Sequence, residues 1–371
     1  MKLIDVGISI LNKINNLGYE AYFVGGMPRD LFLGKKVFTD IDIAVSCDIV
    51  LLIPFFNVIE DNSRYLNIKI MEEGYIFEIT SYRKDISYSD HRHPKTELAM
   101  SLKEDLLRRD FTINAMFCDK KLIVHDFFNG KKDLKNQIIQ TIIDPYKSFQ
   151  DDALRMLRAC YFASKLDFSI DNNTFEAILK NRHLIHFLSI DRIHKEIVKI
   201  IHTNNNRGFK YIKESQLLDG YFYNQVINYL LKNNIKIKSE INFFLLANHL
   251  KLTIPLNISK ENKKILNKMN LFTIENINVH DFIDEDIEII KIILLFFKDI
   301  MKIDKTYLLD QYDNLEIKRL KDIAISKQNL EKIEPKKRKT YLKKLANLIN
   351  NYKILNNSDV ISKYINEEDY E

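Results

Sequence analysis

The chain has 371 residues, 46% of them apolar, which is enough for two or three domains with substantial cores and excludes a disordered protein. Its formal net charge of +5 permits a polyanionic partner without requiring one, since a lysine excess also serves an ordinary solvated surface. Cys47, Cys118 and Cys160 are widely spaced and lack a CxxC or Cys/His grouping, so they point neither to zinc nor to a secreted disulfide framework.

Residues 1–20 repeat apolar side chains at helical spacing and lack the continuous apolar stretch of a signal peptide, so a cytoplasmic protein is expected. Ala21–Val24 is apolar and β-prone, Gly25 and Gly26 break it, and residues 28–33 open a helix at Pro28. Residues 39–45 alternate polar and apolar types, as a strand does. Residues 67–70 and 75–82 supply two more strands, joined through Glu72, Glu73 and Gly74. Residues 86–95 are polar, carry His91, Arg92, His93 and Pro94, and read as a loop. After Phe149 glycine nearly vanishes and apolar residues recur at helical spacing almost to the end. The residues therefore read as an amino-terminal α/β domain followed by a long all-helical region. Residues 287–297 are the most apolar stretch, but Glu288 and Lys291 interrupt it and it is short for a membrane span, so a buried helix is expected. Lys336, Lys337, Arg338 and Lys339, extended by Lys343 and Lys344, are the densest basic run, either a solvated helix end or a contact to an RNA backbone.

The chemistry concentrates in YFVGGMPRDLFLGKKVFTDIDIAV. Asp40 and Asp42 stand two apart in a strand pattern, so both point to one face. Adjacent carboxylates repel unless a cation lies between them, and their natural use is to hold divalent metal, usually magnesium near phosphates. Such ions activate an attacking hydroxyl and stabilise a leaving pyrophosphate. Two solvated aspartates are the competing reading. Gly25 and Gly26, between a strand and a helix, let backbone N–H groups meet phosphate, and Arg29 reaches toward a triphosphate. Gly34-Lys35-Lys36 lacks the spacing of a Walker A loop. Arg108, Arg109 and Asp110 precede a short apolar helix, where Asp110 could equally be a cap and the arginines surface pairs. Asp151 and Asp152 are i,i+4 and i,i+3 neighbours of Arg155 on an expected helix. A rigid Asp–Arg pair reads a base edge, because the carboxylate accepts from an exocyclic amino group and the guanidinium donates to a ring nitrogen or carbonyl. CTP and ATP carry that amino group and UTP does not. An intrahelical ion pair is the alternative. Glu78 is either a third acid near the metal or a strand-edge carboxylate. His125-Asp126 and His280-Asp281 resemble the doublets of metal phosphohydrolases, but neither has the upstream histidine and downstream aspartate such a site needs.

The composite of strand, Gly-Gly, helix with Arg29-Asp30, and DxD resembles the class II nucleotidyltransferases, the family of CCA-adding enzymes and bacterial poly(A) polymerases. Four further segments extend the likeness in the family's order: FEITSYRKDISYSDHRHP (the strand and mobile loop of the CCA-adding branch), EDLLRRDFTINAMF, DPYKSFQDDALRMLRACYFASKLDF and SIDRIHKEIVKII. Together they span roughly residues 20–201. The resemblance implies an α+β fold: a nucleotidyltransferase catalytic head with a small mixed β-sheet over residues 1–135, then an elongated all-helical neck, body and tail, with base recognition in the neck over 136–201 and RNA binding in the body and tail over 202–371. It implies that Asp40 and Asp42 hold Mg2+ and that Gly25, Gly26, Arg29, Arg109, Asp110, Asn114 and Arg158 contact the incoming nucleotide. It also implies that Asp152 and Arg155 select C and A. The implied reaction adds C and A to the 3′ end of tRNA from CTP and ATP with release of pyrophosphate, with no membrane and no protein partner.

The chain departs from the family pattern in places. Asp151 replaces glutamate, Tyr161 a common arginine, Asp167 a common glycine, Asp191 a glutamate, and Pro28 a common valine. The GRRFR-like stretch of poly(A) polymerases is missing, whereas the loop that CC-adding relatives lack looks intact. Full CCA addition is expected, with A-only or CC-only addition and poly(A) synthesis as alternatives. A non-catalytic RNA-binding protein on a dead head would have lost an aspartate of the DxD, and both are present.

Overall fold

The computed structural model describes residues 2–88, 94–272 and 277–368. The chain divides into two units, Met1–Ser239 and Glu240–Glu371.

The first unit opens with helix α1 (Leu3–Asn16), whose apolar face buries Val6, Ile10, Leu11 and Ile14. It packs on a sheet built from β1 (Ala21–Val24), β2 (Asp42–Val45), β3 (Val58–Asn62), β4 (Asn67–Glu72) and β5 (Tyr75–Ser81), completed by β8 (Met116–Cys118) and β9 (Val124–Asp126). The strand order is β3-β4-β5-β2-β1-β8-β9, with β2 parallel to β5 and antiparallel to β1, so the sheet is mixed as expected. Because strand side chains alternate, Phe23, Ile43, Val45 and Ile79 face the α1 core. Val24 and Ala44 face a second core with Tyr82, Leu102, Leu106, Ala115 and Phe117. Asp42 shares that second face. Between β5 and β8 the chain forms the hairpin β6 (Arg83–Tyr88) and β7 (Pro94–Leu98) and helix α3 (Leu102–Leu107). Helix α2 (Gly26–Phe32) follows β1 directly.

Helix α4 (Gly130–Asn136) leads to β10 (Ile138–Ile139), which pairs in parallel with β11 (Ser169–Ile170). The helices that follow β10 in the chain are α5 (Pro145–Asp151), α6 (Leu154–Leu166), α7 (Asn172–Asn181), α8 (Ile190–His202), α9 (Arg207–Ser215) and α10 (Phe222–Lys232), with β11 between α6 and α7. Helix α6 packs against α8 and α9. Gly208 sets the closest approach of α9: its N–H donates to Ser164 Oγ at 2.7 Å, and a Cβ there would meet the Cys160 carbonyl oxygen.

The second unit is helical: α11 (Glu240–His249), α12 (Lys260–Met269), α13 (Ile287–Asp299), α14 (Tyr307–Asp313), α15 (Lys327–Lys332), α16 (Arg338–Asn350) and α17 (Ser358–Glu368). The apolar stretch at 287–297 is the helix α13, burying Ile289, Ile290, Ile293, Leu294, Phe296 and Phe297. No helix among the described residues is long and apolar enough to cross a membrane. Lys336, Lys337 and Lys339 lie exposed at the start of α16, and Lys337 pairs with Glu334 at 3.1 Å.

Several local expectations change. The strand expected over 39–45 begins only at Asp42, because its partner β1 ends at the Val24–Asp42 pair and Gly25 turns the chain away at φ +75°. Asp40 therefore precedes the strand. The helix expected from Pro28 starts two residues earlier, at Gly26. Strands β6 and β7 take over both ends of the loop expected over 86–95, β6 running through Tyr88 and β7 starting at Pro94, and their polar sequence hides the pairing; His91, Arg92 and His93 lie outside the described residues. A single 3-10 turn (Thr112–Asn114), not a short helix, follows Asp110. The continuous helix expected through Asp152 is broken there, since Asp152 is extended (φ −141°, ψ 101°) and its Oδ1 accepts from Leu154 N at 3.0 Å. An aspartate's side chain competes for backbone N–H groups and so favours a helix start over a helix interior.

Candidate active site

The site forms where β1 turns into α2. Gly25 has φ +75° and ψ −127°, a backbone that favours glycine, and a Cβ at this position would lie 2.7 Å from Asp42 Oδ2. The glycine thus leaves room for the carboxylate. Asp42 opens β2 beside Glu78 of β5, its parallel neighbour. Surrounding protein mass raises the Asp42 pKa although its outer face meets solvent; the Glu78 and Asp40 charges add to the rise and Arg109 opposes it. Glu78 instead uses Oε1 to accept from Asn67 Nδ2 at 3.2 Å, and no group of three His, Cys, Asp or Glu side chains that could hold a metal occurs among the described residues. Two hard carboxylates in mutual repulsion fit a magnesium ion, which keeps several waters and takes substrate phosphates as further ligands.

Arg29 is 2% exposed and projects from α2 across the same region. Its Nε donates to Asp30 Oδ1 at 2.9 Å, and its Nη1 donates to Asn114 Oδ1 at 2.7 Å. Asn114 Nδ2 in turn donates to Asp110 Oδ1 at 3.0 Å. Asp110 Oδ2 accepts from Arg158 Nε at 2.7 Å, with Arg158 Nη2 at 2.6 Å from the same oxygen. Burial pushes the Asp110 carboxyl up, but Arg158, Asn114 and the Phe111 N–H together hold it below the usual carboxylate range. The Arg29 and Arg158 guanidiniums also lie 5.5 and 5.4 Å from the ring centre of Phe162. One chain of contacts thus joins the α2 arginine, the turn after Asp110 and the face of α6.

Arg155 stands one turn earlier on α6, buried. Its Nη1 donates to Ser148 Oγ at 2.8 Å and its Nη2 to the Arg108 carbonyl at 2.5 Å. Arg155 is thus held from outside its own helix, by α5 and by the main chain just after α3. Asp152 sits at the α5–α6 break, and the Asp151 carboxyl is raised by burial despite the Arg155 charge. Arg109, the strand-side neighbour of Asp42, donates to Asp105 Oδ2 at 3.1 Å, while its buried Nε has no partner among the described residues.

The structure brings Asp42, Gly25, Arg29, Arg109, Asp110, Asn114, Arg155 and Arg158 into one connected set, with Asp40 beside Asp42 and Gly26 beside Arg29. Sequence reasoning missed Asp105, Ser148 and Lys165. Lys165 lies ten residues after Arg155, on the same face of α6 as Arg158 and Phe162. Its ammonium is 5.6 Å from the Tyr161 ring centre, and partial burial followed by the Arg29 charge lowers its pKa. The i, i+3, i+7, i+10 spacing from Arg155 was the available signal. Each His-Asp doublet has local contacts of its own: His125 pairs with Asp119 at 3.0 Å, and Asp281 accepts from the Asn278 N–H.

The chain is similar to several known proteins. Residues 21–140 match the poly A polymerase head domain, and residues 167–225 match a probable RNA and SrmB-binding site of polymerase A. The CCA-adding enzyme of Ligilactobacillus salivarius is 35% identical over 346 residues, covering 87% of this chain and 85% of that protein. That of Lactobacillus helveticus is 40% identical over 224 residues, 58% of this chain and 55% of that protein. The CCA-adding enzyme of Bacillus stearothermophilus in complex with CTP superposes with a TM-score of 0.84 at 24% identity, covering 100% of this chain and 98% of that one. The Thermotoga maritima CCA-adding enzyme complexed with tRNA gives a TM-score of 0.63 at 19% identity, over 92% and 90% of the two chains; these two likenesses speak to the fold. With the long match to the L. salivarius protein and the head-domain match, the chain belongs to the CCA-adding enzyme family of class II nucleotidyltransferases.

Proposed function

We propose that this chain adds C and A to the 3′ end of tRNA, using CTP and ATP and releasing pyrophosphate. The observation that carries the reading is Arg155, clamped by Ser148 and the Arg108 carbonyl and joined through Arg108, Asp105 and Arg109 to Asp42. A base reader and an acidic centre are thereby fixed to one frame, which is what protein-directed nucleotide choice requires.

The residues divide the work. Gly25 leaves the Asp42 carboxylate its place, and Asp40 and Asp42 are the groups that would hold Mg2+. When bound, magnesium supplies charge stabilisation at the reacting phosphate. Arg29, held by Asp30 and Asn114, presents positive charge to the triphosphate, and the unpartnered Arg109 Nε–H adds a donor. The Asp110–Arg158 pair and Asn114 line the ribose. Arg155 donates to a ring nitrogen or carbonyl and Asp152 accepts from the exocyclic amino group, so C and A satisfy both while U offers a carbonyl to a carboxylate. The 3′ hydroxyl of the tRNA attacks the α-phosphate, the new phosphodiester forms, and the bond to pyrophosphate breaks. Head (1–135), neck (136–201) and the remaining helices (202–371) then carry catalysis, base choice and tRNA contact in that order, in the cytoplasm. The test is incorporation of labelled CTP into tRNA trimmed of its 3′ end, with Mg2+ and with a chelator. Incorporation only with Mg2+ supports the reading, and equal incorporation with the chelator refutes the metal assignment.

A further inference from the structure

Asp105, in the last turns of α3, is 1% exposed, yet the chemistry above leaves it no contact with substrate. Its Oδ1 accepts from Arg108 Nη2 at 2.7 Å, from Arg108 Nε at 3.1 Å, and from the Arg83 N–H at 3.3 Å. Its Oδ2 accepts from Arg109 Nη2 at 3.1 Å. Burial pushes this carboxyl up, but Arg109 and Arg108 overcome it and hold the group ionised. Each of its partners leads elsewhere. Arg108 Nε also donates to the Arg83 carbonyl at 3.0 Å, closing a ring around the first residue of β6. The Arg108 carbonyl holds Arg155, and Arg109 faces Asp42 and Gly25.

A buried carboxylate with this many charge-assisted donors is the fixed point of its surroundings, because moving any one arm leaves charge uncompensated in a dry environment. We infer that Asp105 is a positioning residue for nucleotide choice, holding the Arg108 main chain where its carbonyl sets the Arg155 guanidinium while orienting Arg109 at the acidic centre. The inference rests on the base-reading role given to Arg155 above. It places a determinant of base choice on α3, outside the helix that carries the reader.

The experiment uses full-length protein, trimmed tRNA and each triphosphate in single-turnover incorporation, with tRNA affinity and melting temperature measured in parallel. Asp105→Asn keeps the size and removes the charge; Arg108→Lys keeps the charge and removes the fork, and carries the test should the asparagine variant not fold. In both, discrimination between CTP and UTP is expected to fall between about tenfold and about 100-fold, the scale of a sub-ångström to ångström misplacement, with tRNA affinity unchanged. A uniform loss of rate for every nucleotide with discrimination intact in both variants overturns the assignment, since a merely structural carboxylate would act that way. Failure of the unaltered protein to add C or A overturns the functional reading first and is seen before any variant is made.

Discussion

Replacing Gly25 with alanine probes the centre most sharply. The φ of +75° with ψ of −127° is costly for any L-residue, about 1–3 kcal/mol, which corresponds to a fall in melting temperature of roughly 2–12 °C for a unit of this size. The added Cβ would also sit 2.7 Å from Asp42 Oδ2. To regain a contact near about 3.5 Å the carboxylate has to retreat by roughly 0.8 Å. A displacement of about 1 Å at a reacting centre costs on the order of 100-fold in rate. Gly25→Ala is therefore expected to lose about 100-fold in single-turnover CTP incorporation while remaining folded at the assay temperature. Gly26→Ala is the internal control. Its Cβ would meet Arg29 Nη2 at 3.3 Å, the far end of a side chain, and its loss should be clearly smaller. A Gly25→Ala enzyme within about threefold of the unaltered rate would refute the argument that this glycine exists to seat Asp42.

Further predictions concern the charged groups. The Asp42 pKa is raised, so its contribution to stability is present below the ordinary aspartate value and is lost as pH rises through the folded value. Asp42→Asn should accordingly melt no lower than the unaltered protein at neutral pH without metal, with any advantage vanishing in acid, and should incorporate nothing; thermal melts across pH with a turnover assay check both halves. Mg2+ should raise the melting temperature of the unaltered protein and not of this variant. Arg155→Ala removes the donor to Ser148 and Arg108 and should admit UTP and GTP more than it weakens tRNA binding, read by competition among labelled triphosphates. Arg158→Ala leaves the buried Asp110 with only Asn114 and a backbone N–H, and should cost toward the lower end of about 3–5 kcal/mol, measured by denaturant unfolding.

Much of the site was legible because its parts are local. Gly-Gly after a strand, DxD leading into the next strand, and the run around Arg109 and Asp110 each lie within one short segment whose period and turn residues speak for themselves. The change to an all-helical texture after Phe149 could be read the same way, whereas the mixed sheet followed from the family resemblance alone. What could not be read are the connections. Arg29 meets Asn114 across 85 positions and Arg158 meets Asp110 across 48, and nothing in spacing announces either pair. The Asp152 break escaped notice because Ser148, Phe149, Leu154 and Leu157 keep apolar or small residues near helical spacing on both sides of it. The β6–β7 hairpin escaped notice because its strands are polar, and alternation is informative only where one face is buried. Asp105 looked like one more charge in a helix; only its burial shows it to be a hub.

The most direct test of the central claim is stepwise addition to a tRNA lacking all of its terminal triplet, with products sequenced. With CTP alone the account predicts two added C residues and a stop. Adding ATP then gives a single A and a second stop, and UTP or GTP gives nothing. A long A tail, a stop after C addition even with ATP present, or no incorporation at all would contradict it.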